Sequence, residues 1–98
     1  MLTIKDILNN EILRAEYSLK TSFKNEERDR YHLKLHELKL LENKLDSISD
    51  HAKILDILKS EIVAKQNLIR NSKTNRSKFI IFRDTAVLVL YKYKEGLK

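Results

Sequence analysis

Residues 79–93, FIIFRDTAVLVLYKY, decide the fold of this chain because they suit two different secondary structures. Their β-branched and aromatic side chains favour a β-hairpin, although its central turn would contain neither Gly nor Asn. Signals at both ends of the segment favour a helix instead. Ser77 stands where an N-cap would lie, and Gly96 where a left-handed C-terminal cap would lie. Lys92 and Lys94 would occupy the last turn, so we predict one helix, with the hairpin as the alternative.

A helix over these residues would be apolar around most of its circumference. Lys78, Thr85 and Lys92 recur at intervals of seven and form one narrow polar stripe. We expect this stripe to face solvent and most of the remaining surface to be buried. Such a helix is either the central helix of a small bundle or one whose extra face docks on another subunit or partner. We favour the central helix.

The preceding residues are also predicted to be helical. The chain has no Pro and only one Gly, so it has few residues that would end a helix. We predict helix 1 over residues 4–24, with Thr3 as its N-cap and Asp6 completing an approximate capping box. Its apolar stripe consists of Ile4, Ile7, Leu8, Ile12, Ala15, Leu19 and Phe23.

Two more helices are predicted in the middle of the chain. Helix 2 is expected to end near Ile48, with Leu41 rather than Glu42 in its apolar seam. Ser49 and Asp50 are suitable N-cap residues for helix 3. The apolar stripe of helix 3 consists of Ile54, Leu55, Leu58, Ile62, Leu68 and Ile69, together with the aliphatic stem of Lys65.

The predicted architecture is a single all-α domain over residues 1–98. A chain of this length can bury about two thirds of its unfolded surface and fold without disulfides or metals. We expect a small antiparallel bundle of about four helices. If residues 79–93 pair as strands, the alternative is three helices plus a C-terminal β-hairpin.

Charge is segregated along the chain. Residues 51–98 hold eleven basic and four acidic side chains, whereas residues 1–50 hold nine and ten. Residues 62–83 contain six cations and no acid, although both signs are mixed elsewhere. We predict that the polar turn at residues 71–75 carries a nucleic-acid-binding surface, with a solvated basic surface as the alternative. The five candidate residues are Lys65, Arg70, Lys73, Arg76 and Lys78.

The last third of the chain follows a further pattern. A basic helix, the turn pair Asn75-Arg76 and a helix with spaced aliphatic residues succeed one another. The positions concerned are Ser60, Glu61, Ile62, Leu68, Phe79, Val87, Val89, Leu90 and Tyr93. This order resembles the GatB/YqeY family, which is similar to the tail domain of the glutamyl-tRNA amidotransferase B subunit and typically has Gly-Arg in the turn. The resemblance implies a tRNA-associated helical module rather than a catalyst, and Arg76 is the one position that it carries over.

The sequence contains no catalytic or metal-binding constellation. Cys is absent, which removes a thiolate nucleophile and cysteine metal ligands. His32 and His36 have the spacing of two ligands on one helix, but Leu33 replaces the Glu of the zinc-protease motif and no third ligand is recognisable. We therefore expect no catalytic residue, no metal and no cofactor.

These observations predict a binding module rather than an enzyme. We expect a cytoplasmic protein that contacts RNA or a nucleoprotein through the basic turn. The main alternative is a small regulator or inhibitor that docks on a larger protein complex through the apolar residues 79–93. A helical scaffold that homodimerises is the third. No membrane partner is expected, and the positive charge argues against a mimic of nucleic acid.

Overall fold

The computed structural model describes residues 3–96 and contains four α-helices. They are α1 (Ile4–Thr21), α2 (Asn25–Lys44), α3 (His51–Asn71) and α4 (Arg76–Gly96). The described residues include no strand, so the all-α prediction is confirmed and the hairpin alternative is wrong.

The helices form two hairpins that meet through α2 and α4. α1 packs against α2, α3 packs against α4, and α2 lies beside α4. α4 also touches α1, so it contacts all three other helices and is the central helix, as predicted. Apolar side chains from every helix meet in the core, where Leu38, Leu41, Leu58, Ala86 and Val89 are completely buried.

α2 and α4 run in the same direction. Arg30 and Ser77, near their starts, line one groove, and Leu45 and Tyr93, near their ends, line a cleft at the opposite end of the bundle. The two turns that precede α2 and α4 therefore lie at the same end of the bundle. We call this end the turn end.

The first helix begins at the predicted cap. Thr3 Oγ1 accepts a hydrogen bond from the Asp6 backbone N–H at 3.1 Å, and the Thr3 backbone N–H donates to Asp6 Oδ2 at 3.2 Å. The capping box is thus confirmed. The backbone and side-chain hydrogen bonds of Thr3 hold the pKa of Asp6 below its ordinary value.

The end of α1 corrects the prediction for Phe23. α1 ends at Thr21, three residues earlier than expected, and Ser22 is extended. The Arg28 guanidinium donates to the carbonyls of Leu19 at 3.0 Å and Ser22 at 3.4 Å, which satisfies the end of the helix. Phe23 consequently leaves the apolar stripe and is 97% exposed in the turn.

α2 also ends earlier than predicted, at Lys44 rather than near Ile48. Ser47 adopts a φ of 64°, a left-handed conformation that does not continue a helix. Leu41 is buried and Glu42 exposed, so the prediction that Leu41 rather than Glu42 lies in the apolar seam is confirmed.

Only part of the predicted capping of α3 and α4 is found. The Asp50 side chain accepts from the backbone N–H of Ala52 at 3.1 Å and caps α3 as predicted. α4 begins at Arg76, so Ser77 lies inside the helix and is not its N-cap. Gly96 is the last helical residue and has no positive φ, so the predicted left-handed cap is wrong.

The polar stripe of α4 does not form its outer face. Thr85 is buried and donates to the carbonyl one turn earlier at 2.8 Å, which satisfies its hydroxyl within the core. Lys92 reaches the buried carboxylate of Glu11. The outer face instead carries Val87 and Tyr91, which are 43% and 61% exposed.

Candidate nucleic-acid interface

Four of the five predicted cations surround the turn between α3 and α4. Arg70 lies in the last turn of α3, Lys73 lies in the turn, and Arg76 and Lys78 begin α4. All four are exposed, and none is ion-paired with another residue between 3 and 96. Their charges are therefore available to an external anion.

The conformation of this turn keeps the cations close together. Asn75 adopts a φ of 62°, which Asn tolerates better than most residues, and reverses the chain before α4. Its carbonyl accepts the Phe79 backbone N–H at 3.2 Å and starts the helix. The first turn of α4 contains no acidic residue, so nothing in that turn offsets the positive end of the helix dipole.

The structure does not bring Lys65 into this surface. Its side chain is 16% exposed, and Nζ lies 3.1 Å from Glu61 Oε1 and 3.9 Å from Glu37 Oε1. The ammonium also lies 5.4 Å from the centre of the Phe82 ring. Lys65 neutralises carboxylates inside the bundle. Its charge is therefore not available to a ligand, unlike the charges of the four turn cations.

Two cations that sequence reasoning missed lie beside the turn. Arg30 and Lys34 are one turn apart on α2 and line a groove of about 640 Å³ between α2 and α4, which we call the α2–α4 groove. Ser77, between Arg76 and Lys78, lines the same groove. No local pattern could reveal this, since the two segments are more than forty residues apart in the sequence.

The turn end carries the whole net charge of the protein. The segments that build it, residues 19–34 and 67–80, contain nine cations and three carboxylates. The rest of the chain contains eleven of each. A net charge of +6 is therefore concentrated at one end of the bundle, which strengthens the local field felt by an approaching polyanion.

Aromatic side chains accompany these charges. Phe23 lies at the turn end between Lys20 and Lys24, and its ring is almost completely exposed. Tyr31 is half-buried and lines the α2–α4 groove next to Arg30. Exposed rings among cations can stack unpaired nucleobases while the cations contact phosphates.

A buried cluster of charged residues lies between α2 and α3. Glu37 and Glu61 are 0% and 2% exposed. Lys44 Nζ lies 2.6 Å from Glu61 Oε2, and Lys65 lies on the other side of that carboxylate. Neither oxygen of Glu37 accepts a hydrogen bond from the described residues. Sequence reasoning did not predict the burial of either glutamate, although Glu61 lies three residues after Leu58 and four before Lys65, both on the predicted apolar stripe.

The pKa values of the two buried glutamates are shifted in opposite directions. Burial, followed by the contact with Glu61, raises the pKa of Glu37 to about 8. Burial also tends to raise the pKa of Glu61, but the hydrogen bond from Lys44 and the nearby Glu37 and Lys65 groups outweigh it and leave the pKa lowered. At neutral pH the cluster therefore holds a protonated Glu37 that can donate to an ionised Glu61. Glu37 has no surface exposed to a substrate, so it is a structural rather than an accessible acid.

The histidines belong to no group of three or more possible metal ligands within residues 3–96. His32 and His36 are both exposed, and the His36 ring lies 5.5 Å from that of Phe82. The described residues contain no group of three His, Cys, Asp or Glu side chains that could hold a metal ion. His51 Nδ1 instead hydrogen-bonds the hydroxyl of Tyr93, and burial followed by the charge of Asp50 raises the pKa of this tyrosine.

No helix within residues 3–96 has the length and apolar character needed to cross a membrane. Comparisons of the chain with protein families, curated proteins and solved structures found no match.

Proposed function

We propose that this protein is a non-catalytic module that binds RNA, alone or within a nucleoprotein, through its turn end. The concentration of the entire +6 net charge at this end carries the proposal. Arg70, Lys73, Arg76 and Lys78 supply phosphate contacts, and Phe23 supplies a stacking surface for an unpaired base. The resemblance to the GatB/YqeY family supports tRNA as the first RNA to test. The absence of Cys fits a reducing compartment, and we propose the cytoplasm as the location.

Charge reversal at the turn tests this function. The variant Arg70→Glu/Lys73→Glu/Arg76→Glu should bind labelled tRNA and labelled unstructured RNA at least tenfold more weakly than the wild type at low salt. The wild type should show a log–log salt slope of about −2.8 on single strands, taking about −0.7 for each of four phosphates. Fluorescence anisotropy over a salt series measures both quantities.

A matched control separates a specific surface from net charge. Lys39, Lys53 and Lys59 are exposed and lie outside the turn end, and none is ion-paired within the described chain. Lys39→Glu/Lys53→Glu/Lys59→Glu changes the net charge by the same amount and should retain RNA affinity within about threefold. Equal losses in both triple variants, or no binding by the wild type, would refute the proposal.

Phe23 provides a second test of the same surface. Phe23→Ala should weaken binding to unstructured RNA by about fivefold or more, because one base–aromatic stack contributes roughly 1–3 kcal/mol. The free energy of unfolding should stay within about 0.5 kcal/mol of the wild type, since the ring is exposed. An unchanged affinity would show that Phe23 is not part of the interface. The proposed interface would then consist of the charge contacts only.

A further inference from the structure

The α2–α4 groove is elongated and chemically asymmetric. The α4 residues that line it extend from Ser77 to Leu88, a length of about 16 Å at 1.5 Å per residue. Ile81 and Leu88 contribute half-buried aliphatic side chains, whereas Arg30 and Lys34 stand on the α2 side. The groove is therefore an apolar channel with a basic edge.

The charges along the groove are partly free. Neither Arg30 nor Lys34 forms an ion pair within residues 3–96. On the α4 side, Asp84 is already engaged, because Arg83 donates to its Oδ1 from Nε at 3.1 Å and from a terminal nitrogen at 2.9 Å. An occupant thus meets two unpaired cations along the α2 edge and a neutralised carboxylate along the other.

We infer that the α2–α4 groove binds an acidic amphipathic helix of a partner protein. Apolar residues of that helix at positions i, i+3 or i+4, and i+7 would cover Ile81 and Leu88, and its Asp or Glu residues would face Arg30 and Lys34. The length and the aliphatic side chains of Ile81 and Leu88 favour a helix over a nucleic-acid strand, whose phosphates require regularly spaced donors. Because Arg30 and Lys34 line the α2 side of the groove, a complementary partner helix carries acidic residues along the edge that faces them.

This interaction goes beyond RNA binding and uses different side chains. The proposed RNA contacts are at Arg70, Lys73, Arg76, Lys78 and Phe23, whereas the helix would be held by Arg30 and Lys34 of α2 and by the aliphatic residues of α4. Arg70→Glu/Lys73→Glu/Arg76→Glu leaves the groove residues unchanged, and Leu88→Asp leaves the turn cations unchanged. Failure of the helix proposal is therefore distinguishable from failure of the RNA proposal.

A designed peptide serves as the probe. It has about 18 residues, spanning about 27 Å as a helix, with leucine on one face, glutamate along one edge and glutamine elsewhere. In fluorescence anisotropy, Arg30→Glu/Lys34→Glu should weaken its binding at least tenfold. The same variant should bind a second peptide, in which lysine replaces every glutamate, at least tenfold more tightly than the wild type does. This reversal of preference requires no substitution in the core.

The apolar contact is tested separately. Leu88→Asp should also weaken binding of the glutamate peptide at least tenfold, while circular dichroism and urea unfolding report whether this variant is folded. Leu13→Asp is the matched control, because Leu13 is 57% exposed and lies on α1, outside the groove. Leu88→Asp changes no cation of the turn end, so this variant should retain tRNA binding within about threefold at salt concentrations that screen long-range attraction.

Several results would overturn the inference. The glutamate peptide could bind no better than a version with its leucines scrambled, or the charge swap could fail to reverse the preference. Sedimentation equilibrium could instead reveal a dimer that Arg30→Glu/Lys34→Glu dissociates, which would assign the groove to a second copy of the chain. If Arg30→Glu/Lys34→Glu lost RNA binding and kept peptide binding unchanged, the groove would be assigned to nucleic acid.

Discussion

Replacing Glu37 with glutamine should raise the free energy of unfolding by about 2–4 kcal/mol near pH 8.5 and change it little near pH 5. Glu37 is completely buried, and burial followed by its contact with Glu61 raises its pKa to about 8. Ionisation of Glu37 in the folded state would place a second negative charge beside Glu61, which Lys44 and Lys65 offset only in part. Glutamine keeps the size and polarity of the side chain without this charge.

The sign of the pH dependence follows from the direction of the pKa shift. The unfolded chain releases the Glu37 proton near pH 4.5, whereas the folded protein keeps it until about pH 8. Between these values the folded state binds more protons, so the free energy of unfolding falls as pH rises, by up to about 1.4 kcal/mol per pH unit. Above about pH 8 the loss in the free energy of unfolding is constant, and below about pH 4.5 it is absent. Glu61 has a lowered pKa, so its stabilisation is lost in the opposite direction, as pH falls through its folded-state pKa.

Urea unfolding from about pH 5 to pH 9 measures this difference. Glu42→Gln is the matched control, because Glu42 is an exposed glutamate on the same helix. The control should differ from the wild type by a small amount without a trend across the window. If wild type and Glu37→Gln give parallel curves, the Glu37 carboxyl ionises with its ordinary pKa and the buried cluster is wrongly described.

Replacing Leu38 with alanine should lower the free energy of unfolding by about 2–5 kcal/mol. Leu38 is completely buried on α2, the helix that packs against both α1 and α4. Truncation removes buried methyl groups and leaves a cavity that neighbouring helices can fill only in part. Loss of this side chain therefore weakens both halves of the bundle at their junction.

The same substitution at Leu13 is the control for Leu38. Leu13 is 57% exposed, so Leu13→Ala should change the free energy of unfolding by about 0.5 kcal/mol or less. Urea unfolding at constant pH measures both variants, and their m-values should agree with that of the wild type. Similar effects from the two substitutions would mean that Leu38 does not lie in the core.

Local sequence signals predicted much of the fold. The Thr3 capping box and the Asp50 N-cap depend on side chains within three residues of the backbone groups that they satisfy, so short windows contain the necessary information. Leu41 was assigned correctly because the repeat of apolar residues defines one helix face. The helical identity of α4 followed from its flanking signals, although neither Ser77 nor Gly96 plays the predicted role.

The errors arise where residues distant in sequence compete with local preference. Periodicity extends the apolar stripe to Phe23, but Arg28 satisfies the carbonyls at the end of α1 and the ring faces solvent. Thr85 lies in the core because three other helices pack against α4, and its hydroxyl is satisfied by the Ile81 carbonyl of its own helix. Lys65 has the same local signature as the cations that follow it, yet its ammonium neutralises Glu61 inside the bundle.

The sequence by itself determined four amphipathic segments, two of their N-caps, and a run of cations around the α3–α4 turn. These features arise from spacing and composition within one helix or turn. Only the tertiary structure decided which charges are available. Parallel packing of α2 beside α4 brings Arg30 and Lys34 to the basic turn, while the approach of α3 to α2 buries Lys65 with two glutamates. The physical reason is that burial and charge pairing depend on neighbours across helices, which a one-dimensional pattern does not specify.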